Sequence, residues 1–230
     1  MKILNFFPLS ILQDQINLSD EKKDALINEV KDMKNKSQNS SYKQEDASWT
    51  GDTQGYEFIH KNQKFDIFFL ELKKKIDLYL DFLKIDKNQI EPFIQRSWAT
   101  ISVGKEAIAD HKHLQSHLSF AYYLKKNSED SNFVIYDEAY RNEFIPGLFS
   151  SHTLREKKVI KEVSISTAPR ISLAVKENDI ILFPSKTLHS TEKGRSNIER
   201  ISISGDITFL SKDSNLLENL TPNFVNWKKL

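Results

Sequence analysis

The sequence predicts a mainly β fold, two sheets packed as a jelly roll behind an N-terminal helical buttress. Three observations carry it. Long helical stripes occur only ahead of Pro92; beyond it the texture turns to short β-branched and aromatic segments; and polar, turn-forming clusters separate those segments at intervals suited to a sandwich or barrel. A chain of 230 residues suffices for one sizeable core, so a single domain is expected over 1–230. Within it, 1–91 supplies a strand and the helical buttress, 92–210 the β core, and 211–230 a tail.

The elements follow in order. Ile3 to Leu12 mixes apolar residues with Pro8 and predicts an opening strand followed by a turn. Ser19 suits an N-cap, where a hydroxyl accepts from an otherwise unpaired amide, and Asp20 and Glu21 suit the positive end of a helix dipole. Ala25, Leu26, Val30 and Met33 then recur at helical spacing, so a helix should run to about Lys36. Ser37 to Gly55 is polar and carries Trp49 and the turn-forming Gly51-Asp52, which reads as a long loop. A second helix, from about Lys64 to Leu83, places Phe65, Phe68, Phe69, Leu72, Ile76, Leu80 and Leu83 on one stripe with lysines opposite. The expected strands are Phe93–Val103, Ala107–His113, Leu118–Leu124, Phe133–Tyr136, Val159–Ser166, Ile171–Val175, Asp179–Phe183 and Ile198–Phe209.

Composition narrows the function. Hydrophobic residues at 39% and charged ones at 28% are a globular balance, and no apolar run approaches the ~20 residues a membrane helix needs. With 33 Lys and Arg against 32 Asp and Glu, a net charge of +1 gives no electrostatic reason to expect a nucleic-acid or membrane partner. The absence of cysteine excludes disulfides, thiolate metal sites, Fe–S clusters and a Cys nucleophile, so any metal must sit on His, Asp or Glu. The N-terminus has only Lys2 as a basic residue and no small-residue cleavage pattern, which makes the cytoplasm the expected compartment.

Three of the six histidines fall within seven residues, in Asp110-His111-Lys112-His113-Leu114-Gln115-Ser116-His117. In a strand the side chains alternate, so His111 and His113 would share one face about 7 Å apart and could close on one metal. Alone the pair is unspecific, since two surface histidines give the same pattern. A second signal lies in Asp179–Ser204: an apolar strand ending at Pro184, a single His189, and Arg200 eleven residues later. Along the last strand Arg200, Ser202, Ser204 and Asp206 share one face and Ile201, Ile203 and Ile207 the other. Turned to water, that polar face is an ordinary amphipathic strand; turned inward, it lets Arg200 grip a carboxylate bidentately.

These stretches resemble a family of 2-oxoglutarate and Fe(II)-dependent oxygenases. The resemblance runs from Trp98 through His111-Lys-His113, Leu118-Ser119-Phe-Ala-Tyr122-Tyr123-Leu124 and Leu182-Phe-Pro-Ser-Lys-Thr-Leu-His189 to Glu199-Arg200-Ile-Ser202-Ile-Ser204, with order and spacing kept. It implies a double-stranded β-helix (jelly-roll) fold and an enzyme that spends 2-oxoglutarate and O₂ to hydroxylate a C–H bond, releasing succinate and CO₂. It implies His111, His113 and His189 as the Fe(II) ligands, and Arg200, Ser202 and Tyr123 as the hold on the far carboxylate of 2-oxoglutarate. His113 stands where wider relatives place a carboxylate. Phe120-Ala121 replaces the family's Gly-Val before the Tyr pair, and Leu114 stands at a frequent Pro. The substrate class is a small molecule or peptide, free amino acids included, and a homodimer is one option for assembly. Two rival readings are a cupin-like metal enzyme without the cosubstrate and a non-catalytic jelly-roll binding domain.

Other residues have plainer readings. His117 could approach the metal or hold a local turn. His60 and His152 are expected at the surface, and Asp137 and Glu138 on a rim loop. Trp98 and Phe183 are expected in the core, and Lys73–Lys75 and Lys157–Lys161 as solvated faces. Substrate specificity should lie on the loops Ser37–Gly55 and Asn127–Lys158.

Overall fold

A computed structural model describes residues 1–37, 47–127, 131–212 and 220–230. In chain order these form β1 (Leu12–Gln15), α1 (Asp20–Lys36), β2 (Trp49–Thr50), α2 (Asp66–Phe82), β3 (Ile90–Ser102), β4 (Leu118–Lys125), β5 (Phe133–Tyr136), α3 (His152–Glu156), β6 (Arg170–Leu173), β7 (Asp179–Pro184), β8 (His189–Thr191) and β9 (Arg200–Ser211). The strands make a large sheet in the order β1-β7-β4-β9-β3-β2 and a small one in the order β6-β5-β8. The pairings between these strands are antiparallel. Crossovers between the sheets give the jelly roll. No helix among the described residues is long and apolar enough to cross a membrane.

The helices form where their signals place them. Ser19 caps α1 by accepting from the Lys22 amide, and Leu26, Val30 and Met33 of α1 are buried. In α2 the buried residues are Phe68, Leu72, Ile76, Tyr79 and Leu80. Both stripes pack on one face of the large sheet, against Ala99, Ile101, Phe120, Tyr122, Ile180, Leu182, Ile201 and Ile203. Lys75, expected on a solvated face, instead reaches Asp14 at 2.7 Å and ties α2 to β1.

The other face of the large sheet looks toward the small sheet. A second apolar cluster lies there, made of Ala121, Tyr123, Phe133, Ile135, Val175, Ile181 and Phe183. The register across β4, β9 and β3 sets three rows: Tyr123–Ser202–Thr100, Ala121–Ser204–Trp98 and Ser119–Asp206–Arg96. Since alternate residues share a face, the rows point to the small sheet while Phe120, Tyr122, Ile201 and Ile203 point to the helices.

Several expected elements are placed differently. The opening strand begins only at Leu12, because its partner β7 pairs with residues 12–15 and Pro8 has no amide for a ladder. Ala107–His113 is not a strand; it follows a turn with Gly104 in the left-handed region, and its β pairing is limited to isolated bridges at Ala107 and His111. Val159–Ser166 is turn and bend, with Val159, Val163 and Ile165 exposed, since no partner strand lies beside it. Of the loop expected over Ser37–Gly55, residues 38–46 lie outside the described residues, as do 128–130 of the second specificity loop and 213–219 of the tail; β2 pairs with β3 within the rest.

Gly205 of β9 is required by close approach. A Cβ there would stand 2.6 Å from the Arg96 carbonyl oxygen and 2.7 Å from the Phe120 ring. That ring packs on Phe68 of α2 with centroids 5.9 Å apart, so the side chain cannot move away without opening the helix contact. Gly205→Ala should therefore destabilise the protein by about 2–3 kcal/mol, the range for overpacking a dense core. Urea unfolding is the measurement; an unchanged midpoint would show that β9 and β4 have slack.

Candidate active site

Three imidazoles meet between the sheets. His189 begins β8, whose partner β5 sets Ile135 opposite it. His111 is clamped to His189 by a reciprocal pair of backbone bonds, His111 N–H to His189 carbonyl at 2.9 Å and the reverse at 3.1 Å. His113 is held two residues on, its amide donating to the Ser185 carbonyl at 3.0 Å. The two histidines thus share a site, but a loop pinned to β8 brings them there rather than strand alternation. One ligand nitrogen from each of the three lies within 4.8 Å of the other two.

Which nitrogens these are follows from the hydrogen bonds. Nδ1 of His111 lies 2.8 Å from the Ala109 carbonyl and Nδ1 of His189 lies 2.8 Å from the Thr187 carbonyl. A carbonyl only accepts, so each Nδ1 carries the proton and each Nε2 keeps its lone pair. Nδ1 of His113 is 2.6 Å from Asp206 Oδ1, so it too carries a proton. Nε2 of His113 is buried without a partner. Burial, reinforced by His111 and His113, pushes His189 down to about 3, and burial also lowers His111, so both present lone pairs at neutral pH. Burial alone would raise Asp206; its hydrogen bonds from His113, Ser119 and Ser116 outweigh that and hold the carboxyl below its ordinary value.

The imidazoles line a cavity of about 460 Å³, within the ordinary size range of small-molecule sites. Its walls include all of the three rows but Asp206, together with Phe183 of β7, and Phe133, Ser190 and Thr191 of the small sheet. Arg200, Ser202 and Tyr123 line the same cavity. Arg200 is 6% exposed, and its guanidinium donates to the Ser131 carbonyl and hydroxyl, to Ser102 Oγ at 2.9 Å and to Thr191 Oγ1 at 3.4 Å. The Tyr123 hydroxyl is buried without a partner, and burial pushes its pKa up, so it stays a neutral donor. Thr50, Asp52, Arg96, Trp98, Lys112 and Gln115 complete the wall.

The candidate residues therefore gather in one cavity, and the remaining polar candidates stand apart from it. His117 is exposed; its Nδ1 accepts from the Phe209 amide at 3.1 Å, a local structural role. His60 is half-buried rather than at the surface, with Nδ1 2.7 Å from Ser97 Oγ. His152 is exposed beside Glu156. Glu138 pairs with Lys112 at 2.6 Å and Asp137 accepts from the Ala139 amide, so neither supplies a carboxylate to the imidazoles. Trp98 is buried as expected but belongs to the cavity wall, stacked on His113 with 15° between the planes. Phe183 joins the second apolar cluster and meets His189 edge-on. Asp206 is the residue whose role sequence reasoning missed: the alternation of β9 put it on the polar face without showing what it meets.

Comparison with known proteins bears on this geometry. Residues 96–206 match the family described as "Putative 2OG-Fe(II) oxygenase". No curated protein sequence matches the chain. Among solved structures, HygX from Streptomyces hygroscopicus with nickel and 2-oxoglutarate bound is 10% identical, with 87% of this chain covering 83% of that one at a TM-score of 0.51. The non-heme α-ketoglutarate-dependent epimerase SnoN from nogalamycin biosynthesis is 11% identical, with 90% of this chain on 83% of that one at a TM-score of 0.54. An oxidoreductase of the 2OG-Fe(II) oxygenase family from Burkholderia pseudomallei is 15% identical over 53% of this chain, at a TM-score of 0.38; the chain spans 47% of that protein's length. At these identities the likeness is one of fold.

The depressed pKa of His189 has a measurable consequence for the metal-free protein. Between the ordinary His value of 6.5 and about 3, the unfolded chain binds a proton at this residue that the folded chain refuses. Stability should therefore fall as pH drops through ~6.5 and keep falling toward ~3, with a slope from this residue of up to ~1.4 kcal/mol per pH unit. Urea unfolding in chelator at pH 7, 6, 5 and 4 should show a shallower decline for His189→Asn; parallel declines would mean that His189 takes up its proton in the folded state.

Proposed function

We propose that this chain, a 2OG-Fe(II) oxygenase domain across residues 96–206, holds Fe(II) on His111, His113 and His189 and couples oxidative decarboxylation of 2-oxoglutarate to hydroxylation of a C–H bond. One atom of O₂ ends in succinate and the other in the product, with CO₂ released. The observation that carries the reading is that one cavity presents three Nε2 lone pairs and, elsewhere on its wall, a buried Arg–Ser–Tyr group. Each holds a buried polar atom without a partner, His113 Nε2 and Tyr123 Oη; a cation would satisfy the first and a carboxylate the second.

The protein's own share of the chemistry is positional. The imidazoles of His111, His113 and His189 would hold an ion from one side and leave the rest of the cavity to a chelating cosubstrate and O₂. Bound Fe(II) would supply the redox chemistry that activates O₂. Arg200, already fixed by Ser131, Ser102 and Thr191, offers a pre-oriented fork to the far carboxylate, and Ser202 and Tyr123 stand in the adjoining row to donate to it. From Ser204, opposite Trp98 and hence beside His113, to Ser202 is two residues of strand, about 7 Å and within reach of a five-carbon diacid. The apolar Phe133 and Phe183 cover His189, which would help protect a reactive centre from quenching by water.

The substrate is an amino acid, a peptide or a small metabolite, to which the cavity wall offers Asp52, Arg96 and Gln115 as polar contacts. A cupin-like enzyme without cosubstrate has no use for a buried Arg200, and a simple binding domain has no use for three converging lone pairs. Anaerobic addition of 2-oxoglutarate to the Fe(II)-loaded protein should produce a weak visible charge-transfer band, and the absence of the band would favour those rivals.

Arg200 gives the sharper test. Removing one partner of a buried charge pair costs roughly 3–5 kcal/mol, and each 1.4 kcal/mol is a factor of ten. Arg200→Ala should therefore raise the dissociation constant for 2-oxoglutarate ~100-fold or more while leaving Fe(II) affinity nearly unchanged. Arg200→Lys should recover only part, because a point charge cannot reproduce the fork. Titration of both ligands into the three proteins measures this; equal 2-oxoglutarate affinities would reduce Arg200 to a brace for Ser131.

A further inference from the structure

Asp206 is fully buried, with 0% exposure, and lies on the Nδ1 edge of the His113 ring, away from the unpartnered Nε2. Its Oδ1 accepts the His113 Nδ1 proton at 2.6 Å and the hydroxyls of Ser119 and Ser116 at 2.9 and 3.2 Å, while Oδ2 accepts from the Gln115 amide at 3.2 Å. Four donors around one enclosed carboxylate are what an anion needs to stay charged out of water. The same ring is stacked on Trp98, so His113 is fixed on one edge and one face and has its remaining nitrogen unpartnered. By contrast, the Nδ1 atoms of His111 and His189 meet neutral carbonyls. Of the three imidazoles, only the one standing where related oxygenases carry a carboxylate has a carboxylate behind it.

We infer that Asp206 is the positioning residue of the metal centre: it fixes the tautomer and orientation of His113 and delivers, one imidazole removed, the negative charge that a carboxylate ligand at position 113 would place on the metal directly. This rests on the reading of His113 as a ligand. The inference has a consequence that a structural brace would not share. With His at position 113, Asp206 strengthens metal binding. With Asp at position 113, the two carboxylates would occupy one small buried space, each disfavouring the other's charge, and Asp206 becomes a burden. The effect of Asp206→Asn should reverse sign between the two backgrounds.

The measurement is Zn(II) affinity by competition with a chromophoric chelator, together with proton NMR of the Zn(II)-loaded protein, uniformly labelled with nitrogen-15. Asp206→Asn keeps the shape and an acceptor oxygen but removes the charge, and should weaken Zn(II) binding 10–100-fold. His113→Asp should also bind weakly, and adding Asp206→Asn to it should recover at least tenfold. In the wild type, which needs no variant to fold, the His113 Nδ1 proton should be far downfield and slow to exchange, as expected for a short bond to a carboxylate. The inference is overturned if Asp206→Asn leaves affinity unchanged, if it weakens binding equally in both backgrounds, or if the wild-type Nδ1 proton is missing. His113→Ala separates the two layers of the argument: unchanged Zn(II) affinity there removes His113 from the ligand set and takes this inference with it, whereas a large loss beside a neutral Asp206→Asn sinks the inference alone.

Discussion

The placement of the site depends on the register of β9 between β3 and β4. This strand carries Arg200, Ser202 and Asp206 on one face and Ile201, Ile203 and Ile207 on the other, and the second set packs with the helix-side core. Because side chains alternate with a period of two, a slip by one residue would drive a guanidinium and a carboxylate into that core and put three isoleucines in the cavity. The cost of burying those charges without partners makes the slip prohibitive. Gly205 adds a steric stop, since the Phe120 ring and the Arg96 carbonyl occupy the space a side chain would need.

That constraint explains a division of labour between the two faces. On the helix side, Phe68, Leu72, Phe120, Tyr122, Ile180 and Leu182 are fully buried and apolar, and their burial is the main source of stability. On the cavity side the sheet carries hydroxyls, a carboxylate and a guanidinium, groups that contribute little to stability unless hydrogen-bonded. Most are satisfied within the protein, as Ser116, Ser119 and Ser185 are by one another and by Asp206. The unpartnered His113 Nε2 and Tyr123 Oη cluster where a ligand is proposed, which is where a protein tolerates such a cost.

What was legible in the sequence was what alternation and spacing encode. The apolar stripes of α1 and α2, the strands β3, β4, β5, β6, β7 and β9, and the polar face of β9 are local patterns. What failed were inferences that needed a partner. Val159–Ser166 has β-branched residues but pairs with no strand among the described residues, and a ladder requires two strands. Ala107–His113 looked like a strand and brought two histidines to one face, yet the convergence comes from a clamp to His189, 78 residues away along the chain. Asp206 was visible as an inward acid, but its meeting with His113 is a contact between residues 93 positions apart that a single sequence does not display.

The same long-range contact bears on what His at position 113 could do in the proposed metal site. A carboxylate ligand offers charge but is free to bind in one- or two-oxygen modes; an imidazole offers one lone pair in a fixed direction and no charge. In the proposed site, backing the imidazole with a buried carboxylate would separate the two jobs, direction from His113 and charge from Asp206. The separation requires an anion enclosed by donors, and Ser116 and Ser119 supply them from the loop and strand that follow His113 itself. His113 and Asp206 are thus locked together by one short stretch, 113–119, laid against one strand. The motif that identifies the site and the strand that charges it form a single structural unit.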